Sequence, residues 1–243
     1  MSASRGDVRN SLQPRYLLFD LDGTITDPAP GIIGSVIHAL EALGIEAPAF
    51  EALHWTIGPP LRASFRRLLG EEGRVEEALE IYRARYRGGA MFEAKLYAGV
   101  EEAIASLARE GYTLVLATSK PHTFARPILA HFALDRYFAA IHGAELDGRY
   151  DDKGELIGHI LEAEHIDPAR ALMIGDREYD VRGAARHGIS TIGVLWGHGG
   201  EAELHAAGAA ALCGRPKELG NLIAEIFLSS KADCANAEAA SSS

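Results

Sequence analysis

Three short apolar runs, each closed by a polar residue, constrain this chain more than any other feature. Tyr16-Leu17-Leu18-Phe19 runs into Asp20, Leu114-Val115-Leu116-Ala117 into Thr118, and Ala171-Leu172-Met173-Ile174 into Gly175-Asp176. Runs this short with polar flanks suit strands buried on both faces of a parallel sheet better than helices. Ala140-Ile141 and Ile192-Gly193-Val194-Leu195 extend the pattern. Helical spacing fills the intervals. Val100, Ala103, Ile104, Leu107 and Ala108 share a face ahead of a stop at Gly111, and Leu156, Ile157, Ile160 and Leu161 repeat the spacing. The alternation predicts an open α/β sheet. Ligands of such sheets bind outside the carboxyl ends of the strands, so Asp20, Thr118 and Asp176 are expected at one site.

The stretch from Pro28 to Ala94 breaks the alternation. It holds one amphipathic run (Ile32, Ile33, Val36, Ile37, Leu40, Leu43), a Gly58-Pro59-Pro60 turn, and a second run (Val75, Ala78, Leu79, Tyr82, Tyr86), with no strand pattern. A helical insertion over 28–94 is expected, dividing a core of 15–27 and 95–228. The small polar residues of 229–243, like residues 1–14, read as disordered tails. The 243 residues carry 24 Lys+Arg against 34 Asp+Glu, a formal net charge of −10, which disfavours broad binding to polymeric nucleic acid. No apolar stretch reaches the ~18 residues of a membrane span. The first 14 residues lack an apolar leader segment. Two cysteines cannot build a disulfide framework or a zinc knuckle. The expectation is a soluble cytoplasmic protein; the oligomeric state is not legible.

In Phe19-Asp20-Leu21-Asp22-Gly23-Thr24 two carboxylates follow a strand end, two residues apart and hence on one side of extended chain. Gly23 permits a tight turn that can aim backbone N–H groups at an anion. Two carboxylates in one site suit a nucleophile working with a general acid/base. An isolated Asp-x-Asp also occurs in turns and calcium loops, so the wider string carries the argument.

Asp20-Leu21-Asp22-Gly23-Thr24-Ile25-Thr26-Asp27 resembles the first motif of the haloacid dehalogenase superfamily. Thr118-Ser119-Lys120-Pro121 resembles the second motif, Lys153 the third, and Gly175-Asp176-Arg177-Glu178-Tyr179-Asp180 the fourth. The likeness covers roughly 15–27 and 95–226, and the insertion after the first motif is similar to the subgroup with a small helical cap. It implies an α/β fold with a Rossmann-like parallel sheet core and an inserted α-helical cap. It also implies Asp20 as nucleophile on phosphorus and Asp22 as acid and then base. Thr118, Ser119, Lys153 and Gly23 would bind the phosphoryl group. Asp20, the carbonyl of Asp22, and Asp176 would bind a metal, with Asp180 supporting them. Four carboxylates around a phosphate dianion repel one another: each like-charge contact at ~4 Å costs about 4 kcal/mol at an effective dielectric of 20. A hard divalent ion, Mg²⁺, answers that charge. One departure stands out. Where many relatives carry Lys-Pro, this chain reads Asp151-Asp152-Lys153-Gly154-Glu155, so Lys120 stays open as the alternative phosphate clamp.

The resemblance also separates reactions. The haloalkanoate dehalogenases lack the second carboxylate, and Asp22 is present. Phosphonate hydrolysis through an imine and sugar phosphomutation use a cap lysine, and 28–94 contains none. A phosphomonoesterase acting on a small phosphorylated metabolite remains. The segment from Gly143 to Arg149 resembles the 5′-nucleotidase-like subgroup and the general pattern is similar to phosphoglycolate phosphatases. A nucleoside 5′-monophosphate is therefore the first expectation and 2-phosphoglycolate the alternative. Arg62, just after the Gly58-Pro59-Pro60 turn, is the candidate substrate contact in the cap. A non-catalytic binding module on the same fold would be expected to have lost a carboxylate or lysine of the set, and none is missing. Ten histidines show no zinc-ligand spacing, and Trp196-Gly197-His198-Gly199-Gly200 reads as a loop near the site.

Overall fold

A computed structural model describes residues 15–70 and 73–229; of the expected tails 1–14 and 229–243, all but Ser229, which is helical, lies outside the described residues. In chain order the elements begin with β1 (Tyr16–Phe19), β2 (Thr26–Asp27) and α1 (Ala29–Ala42). After a 3₁₀ stretch over Phe50–Thr56 come α2 (Leu61–Leu69), α3 (Val75–Arg87) and β3 (Lys95–Leu96). Next are α4 (Val100–Arg109), β4 (Thr113–Pro121), α5 (His122–His131) and β5 (Phe138–Ala144). The chain continues with α6 (Lys153–Ala163), β6 (Ala171–Gly175), α7 (Glu178–Ala185), β7 (Ser190–Val194), α8 (Glu201–Ala207) and β8 (Ala211–Cys213).

Six strands form one parallel sheet in the order β5-β4-β1-β6-β7-β8. Alternate side chains on the strands feed two separate cores. Leu17, Phe19, Leu114, Leu116, Leu172 and Ile174 pack under α4 and α5. Leu18, Val115, Ala117 and Met173 pack under α6 and α7 on the other face. Burial on both faces explains why these strands read as continuous apolar runs rather than as alternating ones. Phe19 pairs with Leu116 on one side and Ile174 on the other, so β1 sits where the strand order reverses. The chain leaves the sheet at Asp20 and Asp176 beside a single crevice, while β4 runs past Thr118, where the sequence suggests its end, to Pro121 with a shift of register after Thr118.

The inserted helices keep a core of their own. Ile33, Val36 and Leu40 of α1 meet Leu79, Tyr82 and Tyr86 of α3 and Phe65 of α2, and Phe124 of α5 joins them from below. Gly31 is the contact that lets α1 approach, since a Cβ there would lie 2.2 Å from the Ala90 carbonyl oxygen. Both ends of the insertion are tied by the antiparallel pair β2–β3, Thr26 to Leu96 and Asp27 to Lys95. Strands of two residues carry no periodicity, which is why the sequence reading contains neither. Among the described residues, no helix is long and apolar enough to cross a membrane.

Candidate active site

Immediately past β1, the Asp20 amide donates to the Ile174 carbonyl (3.0 Å), which fixes the chain just before it turns. Gly23 takes φ +90°, where L side chains are strained, and a Cβ there would fall 2.2–2.6 Å from the Asp176 carboxylate. The Gly23 amide itself donates to the Thr26 carbonyl (2.7 Å). Gly23 thus shapes the turn and admits Asp176, rather than offering its own N–H to an anion.

Lys153 enters this crevice from the first turn of α6, whose N-cap Asp152 accepts from the Glu155 amide. Its Nζ donates to Asp20 Oδ1 (2.8 Å) and the Ala117 carbonyl (2.7 Å), and it pairs with Asp180 Oδ1 (2.8 Å). Burial works against the Lys153 charge, but Asp180 and Asp20 outweigh it and hold the ammonium well above its ordinary pKa. Asp180 stands at the third position of α7, where its other oxygen accepts from the Arg177 amide (3.2 Å). Asp176 Oδ2 accepts from the His198 amide (2.7 Å), while its buried Oδ1 has no partner among the described residues.

Carboxylate oxygens of Asp20, Asp176 and Asp180 all lie within 4.8 Å of one another. Burial, followed by repulsion from Asp180 and Asp20, pushes the Asp176 carboxyl well above its usual range. Asp180 is pushed up to about 6, again mainly by burial. Lys153 pairs with two of these three buried carboxylates, and the third, Asp176, keeps an oxygen with no partner among the described residues. That donor set, all oxygen and short of positive charge, fits a hard divalent cation.

Asp22 lies apart from this cluster. Its Oδ2 pairs with Lys120 Nζ (2.8 Å), and its buried Oδ1 has no hydrogen-bond partner among the described residues. Burial raises the Asp22 pKa against the opposing pull of Lys120. Lys120 is itself buried at the end of β4 and donates to the Tyr86 hydroxyl of α3 (2.6 Å). The two lysines are therefore divided: Lys153 sits on Asp20, and Lys120 on Asp22. Thr118 Oγ1 accepts from the Lys120 amide (3.2 Å), and Thr118 and Ser119 line the same cavity as Asp20 and Asp22.

The far wall of that cavity is apolar and aromatic. Tyr82 and Tyr86 stack at 5.3 Å between ring centroids and 15° between planes, and Phe124 meets Tyr86 edge-on at 5.3 Å. Arg62 lines the cavity as the sequence suggests, but its guanidinium pairs with Glu76. Arg83, also on the wall, donates to the Leu146 carbonyl (2.9 Å). Sequence reasoning missed Phe124 and the pairing of Lys120 with Asp22. Phe124 lies three residues past Pro121 in a helix with no motif to mark it.

The Trp196–Gly200 loop packs directly against the crevice. Trp196 Nε1 donates to the Thr24 carbonyl (3.0 Å), and Gly199 passes so close that a Cβ would collide with the Asp176 carbonyl oxygen. His198 thus contributes its backbone N–H to Asp176, a role that its side-chain type does not advertise.

The model of the family described as "Haloacid dehalogenase-like hydrolase" matches residues 17–194. The chain belongs to that family. It is a hydrolase of the phosphatase class within it. A protein named 5′-nucleotidase from Pseudomonas aeruginosa is 48% identical over 191 residues, 78% of this chain and 86% of that protein. A Mycobacterium tuberculosis protein named tyrosine-protein kinase PtkA is 42% identical over 189 residues, 76% of this chain, which spans 64% of that longer protein. Relatives named phosphoglycolate phosphatase match at about 30% identity. The crystal structure of a predicted phosphatase from Clostridium acetobutylicum superposes with a TM-score of 0.84 at 41% identity, over 87% of this chain and 99% of that one.

Proposed function

We propose that this haloacid dehalogenase-like hydrolase is a Mg²⁺-dependent phosphomonoesterase that hydrolyses nucleoside 5′-monophosphates through an aspartyl-phosphate at Asp20. The division of the two lysines between Asp20 and Asp22 carries this reading. It gives two neighbouring carboxylates two different tasks.

Asp20 attacks phosphorus, the ester P–O bond breaks, and Asp22 passes a proton to the departing alkoxide. Water then attacks the acyl-phosphate while Asp22 takes its proton, which releases phosphate and restores Asp20. The raised pKa of Asp22 suits the donor, and its unpartnered Oδ1 leaves a free oxygen for the transfer. Lys153, with the Thr118 and Ser119 segment, holds the phosphoryl oxygens as charge moves onto them. Asp20, Asp176 and Asp180 would hold Mg²⁺, with the carbonyl of Asp22 as a further ligand. When bound, the ion supplies countercharge to the phosphate and to these carboxylates.

The aromatic wall of Tyr82, Tyr86 and Phe124 supports a planar leaving group such as a nucleoside. A 2-phosphoglycolate carboxylate would want an unengaged cation there, whereas Arg62 and Arg83 already have partners. Phosphate release from nucleoside 5′-monophosphates, 2-phosphoglycolate and sugar phosphates, with Mg²⁺ or EDTA and with Asp20→Asn as blank, tests the reading. Metal-dependent release ranked highest for the nucleotides is expected. A preference for 2-phosphoglycolate would overturn the assignment of the leaving group.

A further inference from the structure

Two arginines fasten the cap to the sheet from opposite sides of the cavity. On one side Arg83 of the cap donates to the Leu146 carbonyl of the core (2.9 Å). On the other, Arg177 of the core donates from Nη1 to the Ile57 carbonyl of the cap (2.5 Å), 120 residues away in sequence. Arg177 is also braced from beneath. Its Nε donates to Glu203 Oε1 on α8 (2.8 Å), and the same oxygen accepts from the Glu178 amide (2.9 Å).

The segment that Arg177 grips is unusual. Ile57 is followed by Gly58 at φ +103°, where a Cβ would stand 2.9 Å from Arg177 Nη1, so the chain rests directly on the guanidinium. Pro59 and Pro60 come next and have no backbone N–H with which to anchor themselves. Gly58, Pro59, Pro60, Leu61 and Arg62 then line the cavity that holds Asp20 and Asp22.

We propose that Arg177, braced by Glu203, is a positioning residue that seats segment 57–62 over the leaving group and so decides which esters bind productively. Its consequence for substrates rests on the phosphatase reading; the seating itself does not. The bond from guanidinium to carbonyl has a neutral acceptor on the moving side. When the segment lifts, Arg177 keeps Glu203 and no buried carboxylate is stranded. A contact of this kind suits a cap that must open for entry and release.

Amide hydrogen exchange on the resting protein, together with steady-state kinetics, tests the proposal in the wild type, Arg177→Met, Arg177→Lys and Glu203→Gln. Exchange in peptides spanning residues 53–65 should accelerate on the order of tenfold in Arg177→Met, with β1 and β6 unchanged. KM for a nucleoside 5′-monophosphate should rise by about tenfold while kcat moves far less, and the preference over acetyl phosphate should shrink. Arg177→Lys should restore only part of this, because one ammonium cannot fork to both Glu203 and Ile57. Glu203→Gln keeps the arginine in place and should show the same changes at smaller size, which guards against a misfolded Arg177→Met. Unchanged exchange over 53–65, or a fall in kcat at constant KM, would overturn the proposal. Faster exchange in a protein inert on every ester would uphold the seating and remove the phosphatase reading instead.

Discussion

Replacing Lys153 by Met separates two effects that point in opposite directions. Its ammonium is buried and bonds Asp20, Asp180 and the Ala117 carbonyl at 2.7–2.8 Å. Removing one partner of a buried ion pair typically destabilises by about 3–5 kcal/mol, because the charge left behind is uncompensated. Here two carboxylates are left behind, beside an Asp176 that is already crowded by them. The metal-free variant should therefore be several kcal/mol less stable. A dication placed among these carboxylates would no longer meet a lysine a few ångströms away. At an effective dielectric of ~20 that repulsion is itself several kcal/mol, partly offset by water entering the space. Lys153→Met should accordingly bind Mg²⁺ more tightly than the wild type. Loss of a charged donor to the phosphoryl oxygens should lower kcat by roughly 10²–10³-fold. Calorimetric titration of Mg²⁺ and turnover at saturating metal read the two effects separately. Turnover within tenfold of wild type, or weaker Mg²⁺ binding by a folded variant, would refute the reasoning.

Further outcomes follow from the same geometry. Asp22→Asn should lower turnover of an alkyl phosphate by roughly 10²–10⁴-fold. In rapid-mixing experiments the same variant should still release p-nitrophenolate in a burst, since that leaving group needs no proton; equal loss of the burst would contradict the acid role. Tyr82→Ala or Phe124→Ala should weaken nucleotide binding by ~1–3 kcal/mol, the usual worth of stacking a base on an aromatic ring, and a KM unchanged in both would remove the nucleoside from the wall. The pH dependence of stability has a definite sign. Asp180 is raised from 3.8 to about 6, so between those values the native state holds a proton that the unfolded chain has lost. Stability contributed by this group therefore falls as pH rises through that window. Thermal melts of the metal-free wild type should lose ground to Asp180→Asn between pH 4 and about 6.5, and Mg²⁺ at neutral pH should reverse the loss. A wild type that gains on the variant over that range would contradict it.

Much of the sheet was legible because burial on both faces restricts residue type, and the candidate site residues were read from their resemblance to the family's four motifs. Leu17 to Phe19 and Leu172 to Ile174 can be little else than buried strands, and Asp20 and Asp176 stand just beyond β1 and β6, whereas β4 runs three residues past Thr118 to Pro121. Lys153 was read from its resemblance to the third motif despite its altered surroundings, and it lies in the first turn of α6, which Asp152 caps. The missing parts are those that no local pattern encodes. β2 and β3 are too short for alternation, and α2 sits in a segment rich in arginine whose apolar face is narrow. The contacts of Lys120 with Tyr86, and of Arg177 with Ile57, join residues 34 and 120 positions apart. Only the packing of cap on core creates them.

The central claim is that phosphate passes through the Asp20 carboxylate. Acid quenching during turnover of a nucleoside 5′-monophosphate carrying radiolabelled phosphate, followed by peptide mapping, tests it most directly. The account predicts label on the peptide containing Asp20 and none in Asp20→Asn; with labelled p-nitrophenyl phosphate, whose leaving group needs no proton, Asp22→Asn should hold more of it, because only hydrolysis of the acyl-phosphate is slowed. Metal-dependent turnover with no label at Asp20 in either enzyme, or turnover that survives in Asp20→Asn, would contradict it.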